Sequence, residues 1–160
     1  MITTDVLRFS EHDFAIFCYS ASNVEIIYAG HAHNRWSDGE IAPARTAADD
    51  QRYTNGKFGT YRTFASIVHA EWNALDGARL STDVDLDEVF PDHVVLHEAD
   101  PASIYQPKPI IGPYPIIIVE INDHILSIYM DVTIQTLAAE SSAAPYERTR
   151  YRTLAHTRTL

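Results

Sequence analysis

Thr60-Tyr-Arg-Thr-Phe-Ala-Ser-Ile-Val-His-Ala-Glu-Trp-Asn-Ala-Leu-Asp76 is the stretch on which the fold reading turns. Phe64, Ile67, Val68, Trp72 and Leu75 recur at three- and four-residue intervals, the spacing that gathers apolar side chains on one stripe of an α-helix. Arg62, Ser66, His69, Asn73 and Asp76 then form the opposite, polar stripe. Gly77 stands where a residue in the left-handed conformation would end the helix. The spacing therefore predicts a principal helix over 60–76.

Around this stretch the chain reads as strands. Residues 6–9, 14–19 and 24–28 are rich in β-branched and aromatic side chains and are separated by short polar turns, which suits an antiparallel meander. Residues 115–121 and 125–134 predict a hairpin turning at Asn122-Asp-His124, with a first strand apolar on both faces and therefore central. Between them the sequence predicts a short helix over 83–90, capped by Thr82 and stopped by Pro91, and a strand over 93–97. Proline-rich residues 100–115 read as an extended connection, and residues 30–59 as a long irregular section punctuated by Gly39, Pro43 and Asn55-Gly56. After Leu137 a linker-like Ala-Ala-Glu-Ser-Ser-Ala-Ala-Pro leads to a basic end. The expected architecture is α+β. A single domain over 1–137 packs a mainly antiparallel sheet (N-terminal meander plus C-terminal hairpin) against one principal helix, and 138–160 follow as linker and basic tail.

Charge is the second informative feature. The 160 residues carry a formal charge of −10, which disfavours binding to nucleic acid or to an anionic membrane surface. Arg148, Arg150, Arg152 and Arg158 lie near the end, leaving eight basic against twenty-two acidic side chains in residues 1–147. From Leu80 to Pro107 there is no lysine or arginine, while Asp83, Asp85, Asp87, Glu88, Asp92, Glu98 and Asp100 all fall there. Such a run attracts basic partners. The acids at 83, 85 and 87 alternate as in a calcium loop, but Glu88 occupies the position that needs glycine, and Val94 the one that needs a bidentate glutamate.

The histidines and arginines offer a different site. His31, His33, Arg35, Arg45 and His69 could form a pocket in which imidazole moves protons and guanidinium holds an anion. No zinc-binding, nucleophile-elbow, phosphate-loop or dinucleotide motif is present, and no metal or cofactor is expected. Cys18, the single cysteine, sits in an apolar run that favours a buried, inert thiol. The first residues lack a basic and apolar leader pattern, so the expected location is cytoplasmic.

These features favour a non-enzymatic acidic protein that neutralises a basic protein partner, as an immunity protein neutralises a toxin or nuclease. Asp83, Asp85, Asp87, Glu88, Asp92 and Glu98 would make the contact. The alternative is a small enzyme or ligand-binding domain acting on an anionic substrate at the His31–Arg45 loop.

Overall fold

A computed structural model describes residues 6–52, 59–64, 67–138 and 143–160. Asn55-Gly56, Ser66, residues 1–5 of the leader reading and residues 139–142 of the expected linker lie outside the described residues. In chain order the strands are β1 (Glu11–Tyr19), β2 (Ala21–Tyr28), β3 (His31–Arg35), β4 (Thr60–Arg62), β5 (Val68–Ala74), β6 (Arg79–Val84), β7 (Ile110–Asn122), β8 (Ile125–Leu137) and β9 (Tyr146–Thr159). A single helical turn, α1 (Leu86–Val89), joins β6 to short 3-10 turns at Pro91–His93 and Pro101–Ser103.

Among the described residues the principal helix is absent, and with it the α+β class: the stretch 60–76 supplies β4 and β5 instead. In β5, Val68, Ala70, Trp72 and Ala74 are buried while His69, Glu71 and Asn73 are not, an alternation of period two. Residues four apart share a face in both a helix and a strand, so Phe64, Val68 and Trp72 fitted either. Ile67 and Leu75, which only the helical stripe places inside, are 51% and 56% exposed. Gly77, at φ 88°, turns the β5–β6 hairpin rather than ending a helix.

The strands form two sheets that share one core. One has the order β4-β1-β7-β8-β9, the other β3-β2-β5-β6. The N-terminal meander is also corrected. β1 and β2 are separated only by Ser20, at φ 49°, yet they enter different sheets. β1 pairs in parallel with β7, from Asp13 opposite Ile116 to Tyr19 opposite Asn122, whereas β2 pairs with β3 and β5. A strand flanked on both faces becomes continuously apolar, which is the pattern of Phe14–Tyr19. Phe14, Ile16 and Cys18 join the main core with Val24, Ile26, Trp72, Ile117, Val119 and Ile121. Ala15, Phe17 and Tyr19 meet Ile118 on the reverse face.

β7 and β8 form the expected hairpin, and Asn122 is paired with Ile125 at its tip. The segment expected as a basic tail is β9, paired with β8 from Leu137 opposite Tyr146 to Ile125 opposite Thr159. The expected strand over 93–97 reduces to an isolated bridge between Arg8 and Val94. The short helix starts later than expected, because Asp85 rather than Thr82 is its cap. The Asp85 side chain accepts a hydrogen bond from the Asp87 N–H at 2.9 Å, while Thr82, Asp83 and Val84 finish β6.

Candidate partner-binding surface

The segment from Asp83 to Glu98 leaves the four-stranded sheet, turns through α1 and is pinned back on the core. Leu86, Phe90 and Val95 are its buried anchors. Its backbone is fixed by Phe9 N–H to the His93 carbonyl at 3.0 Å and Val95 N–H to the Leu7 carbonyl at 2.8 Å. With the apolar residues turned inward, Asp83, Asp87, Glu88, Asp92 and Glu98 are exposed, and Asp85 is half-buried as the cap. Two histidines of the same molecule meet the acids, and one arginine lies against the segment's backbone. His69 Nδ1 lies 2.5 Å from Asp83 and His93 Nε2 lies 2.9 Å from Asp87. The Arg158 guanidinium donates to the Thr82 hydroxyl and the Asp83 carbonyl. The bond to Asp83 raises the His69 pKa, and Glu71 adds to the effect. Asp85 and Glu88 also line a cleft of about 250 Å³ together with His156 and Arg158.

A second charged group, unforeseen from the sequence, covers the reverse face of the five-stranded sheet. Glu120 on β7 and Asp131 on β8 are buried among apolar neighbours. Arg45 reaches Glu120 at 2.9 Å and Asp50 at 2.6 Å. Arg150 and Arg152 on β9 converge on Asp131 at 2.5 and 2.8 Å. The same two arginines donate to the carbonyls of Asp49, Gln51 and Arg52, so they hold the 46–52 segment against the sheet. Burial pushes the Glu120 carboxyl above its usual range, and the Arg45 guanidinium opposes that shift. The signal for this group was the period-two placement of Arg148, Arg150 and Arg152, which marks one face of a strand.

The alternative pocket does not assemble. His31, His33 and Arg35 lie on β3 opposite Tyr28, Ile26 and Val24, and so share the inward-facing rows of β2. His69 is opposite Ile27, on the outward row. Arg45 belongs to the Glu120 group on the other sheet. Among the described residues, no three histidine, cysteine or acidic side chains are placed to hold a metal ion.

Cys18 and His12 are buried titratable groups on β1. Burial pushes the Cys18 thiol up to about 12, with Arg35 opposing, so the thiol is protonated and unreactive at neutral pH. His12 lies wholly inside, bonded through Nδ1 to the Thr63 hydroxyl and through Nε2 to the Tyr28 hydroxyl, both at 2.8 Å. No described helix is long and apolar enough to cross a membrane. Set against protein-family models, curated proteins and solved structures, the chain has no significant match.

Proposed function

We propose that the protein is a binding protein whose acidic segment holds and neutralises a basic protein partner, in the manner of an immunity protein acting on a toxin or nuclease in the cytoplasm. One observation carries the reading: three of the guanidiniums are taken up by buried carboxylates, while the acids of the anchored segment face solvent. Arg45, Arg150 and Arg152 turn inward onto Glu120 and Asp131, while Asp83, Asp87, Glu88, Asp92 and Glu98 stay in solvent. Carboxylates held on an anchored backbone need little ordering when a partner arrives, and their field steers a cationic surface toward them. An acidic body disfavours nucleic acid itself and suits a protein that covers a nucleic-acid-binding surface.

The test is the variant Asp85→Asn/Asp87→Asn/Glu88→Gln, measured against the product of the adjacent gene by stopped-flow association at two salt concentrations. The amides keep side-chain size, and asparagine caps a helical turn as well as aspartate does. Association should slow by roughly one to two powers of ten and lose part of its salt dependence. An unchanged rate with unchanged salt dependence counts against the acidic segment as the contact.

A further inference from the structure

Two imidazoles share one pair of phenyl rings. His12, wholly buried on β1, has its ring centre 6.3 Å from that of Phe9 and 5.3 Å from that of Phe64. His93, where the acidic segment returns to the core, lies 5.9 Å from Phe9 and 5.0 Å from Phe64. Phe90, a buried anchor of the segment, packs on the same two rings at 6.1 and 6.0 Å. The acidic segment is therefore seated on aromatic rings that rest in turn on a titratable one.

The His12 ring bonds to the hydroxyls of Thr63 and Tyr28, which suit a neutral imidazole and bring no counter-charge to an imidazolium. The ionisable groups near it are Asp13 on β1, Tyr28 on β2, Tyr61 on β4 and His93 in the segment. The Asp13 carboxylate accepts from the Thr60 hydroxyl at 2.7 Å, and His93 faces Asp87. Along its length β1 is paired with β7 from Asp13 to Tyr19. Beside the rings, the segment is tied to residues 7–9 by the Phe9–His93 and Val95–Leu7 backbone hydrogen bonds and the Arg8–Val94 bridge. That short tie costs less to open than the sheet, and its opening lets water reach His12.

We infer that the ring pair and its two imidazoles form an acid-sensitive clasp: when His12 takes up a proton, residues 90–95 let go of residues 7–9 while the two sheets stay folded. A buried charge must be met by water or by a carboxylate, and the opened clasp admits water. Burial lowers the His12 pKa to about 4, Asp13 opposes the shift and His93 adds to it. The closed form is therefore fully favoured above the ordinary value of 6.5 and loses ground as the pH falls toward about 4. One consequence rests on the acidic segment being the partner's contact: a loosened segment lets a bound cationic surface go in acid. The clasp itself is a property of the chain alone, so either reading can fail without the other.

Amide hydrogen exchange of the full chain, divided by the rate of an unstructured peptide at the same pH, reads the clasp at about pH 7 and about pH 4.5. The N–H groups of Phe90, His93 and Val95, bonded to the carbonyls of Leu86, Phe90 and Leu7, report the segment. Val119 and Ile128, paired across β7 and β8, report the sheets. Segment protection should fall by up to about fifty-fold between the two pH values, the ratio set by a pKa of about 4 when closed and 6.5 when open. It should also lie at least about ten-fold below sheet protection at both, and respond to dilute urea far less than the sheets do, because a local opening exposes little surface. In His12→Gln the fall should vanish, and in His93→Gln most of it should remain. The inference is overturned if segment protection is independent of pH, if the segment responds to urea as steeply as the sheets, or if His12→Gln keeps the fall. Loss of the fall in His93→Gln would give the switch to the His93–Asp87 pair and overturn it equally. Should His12→Gln not fold, the natural chain and His93→Gln decide alone.

Discussion

Trp72 and His12 show how single side chains fix this core. Trp72 is the largest of the wholly buried residues, and its indole N–H donates to the Asp123 carbonyl at 2.5 Å, tying β5 to the β7–β8 turn. Trp72→Ala should cost about 3–5 kcal/mol, the sum of lost burial and an unfilled cavity. Denaturant unfolding measures it, and an unchanged midpoint would refute the packing. His12 is a different case. Burial lowers its pKa from 6.5 to about 4, with Asp13 partly opposing and His93 adding to the shift. The unfolded chain therefore binds this proton more readily than the folded one. The stability it confers is complete above about pH 6.5 and is lost as the pH falls toward about 4, a change of about 3 kcal/mol. In His12→Gln that part of the acid dependence should vanish. Unfolding midpoints at about pH 7 and about pH 4.5 compare the two proteins.

At the scale of elements, the β7–β8 hairpin was legible because two long runs rich in β-branched residues flank a three-residue polar turn. β5 was not, because its decisive side chains are alanines. Ala70 and Ala74 are buried at positions where only a strand puts them inside, yet alanine is the best helix former and is depleted in strands, so it reinforced the helical stripe. The parallel pairing of β1 with β7 was illegible for another reason: no local pattern records which distant strand lies alongside. β9 was misread because arginines suggested solvent, although their spacing was that of a strand with one face turned to buried acids. That face yields a test. Removing Asp131 by substitution with alanine takes away the buried carboxylate that Arg150 and Arg152 share, a loss of about 3–5 kcal/mol. The same change should raise hydrogen exchange in residues 46–52, which these arginines hold by their carbonyls. Exchange confined to β9 would show that the segment is held by something else. Of the candidate sites, the acidic segment was readable as charge. The histidine–arginine pocket was not, because strand alternation, invisible before the strands were known, separates its members.

Across the whole molecule, the two sheets are joined beyond their shared core by a latch at the β7–β8 turn. His124 Nδ1 donates to the Leu160 carbonyl and Nε2 donates to the Asp76 carboxylate in the β5–β6 turn, both at 2.9 Å. The Leu160 N–H returns a bond to the His124 carbonyl, and the Leu75 N–H donates to the Asp123 carboxylate. Both ring nitrogens act as donors, so the charged imidazole is the form that closes the latch. Its pKa is accordingly raised, first by the Leu160 carbonyl and then by Asp76. The sign is opposite to that of His12. A raised folded-state pKa gives stability that is complete below the unfolded value of 6.5 and is lost as the pH climbs through the folded value. Of these two groups, His12 weakens the molecule from the acid side and His124 from the alkaline side. Asp76→Asn separates the charge from the geometry, because an amide oxygen can still accept the Ala78 N–H that the carboxylate now holds at 3.0 Å. Thermal melts of both proteins from about pH 6 to about pH 9 should show the natural chain ahead at the acid end, with the two curves merging as His124 loses its proton. A gap that stays constant across that range would mean that Asp76 acts through the turn alone and that the imidazolium does not close the latch.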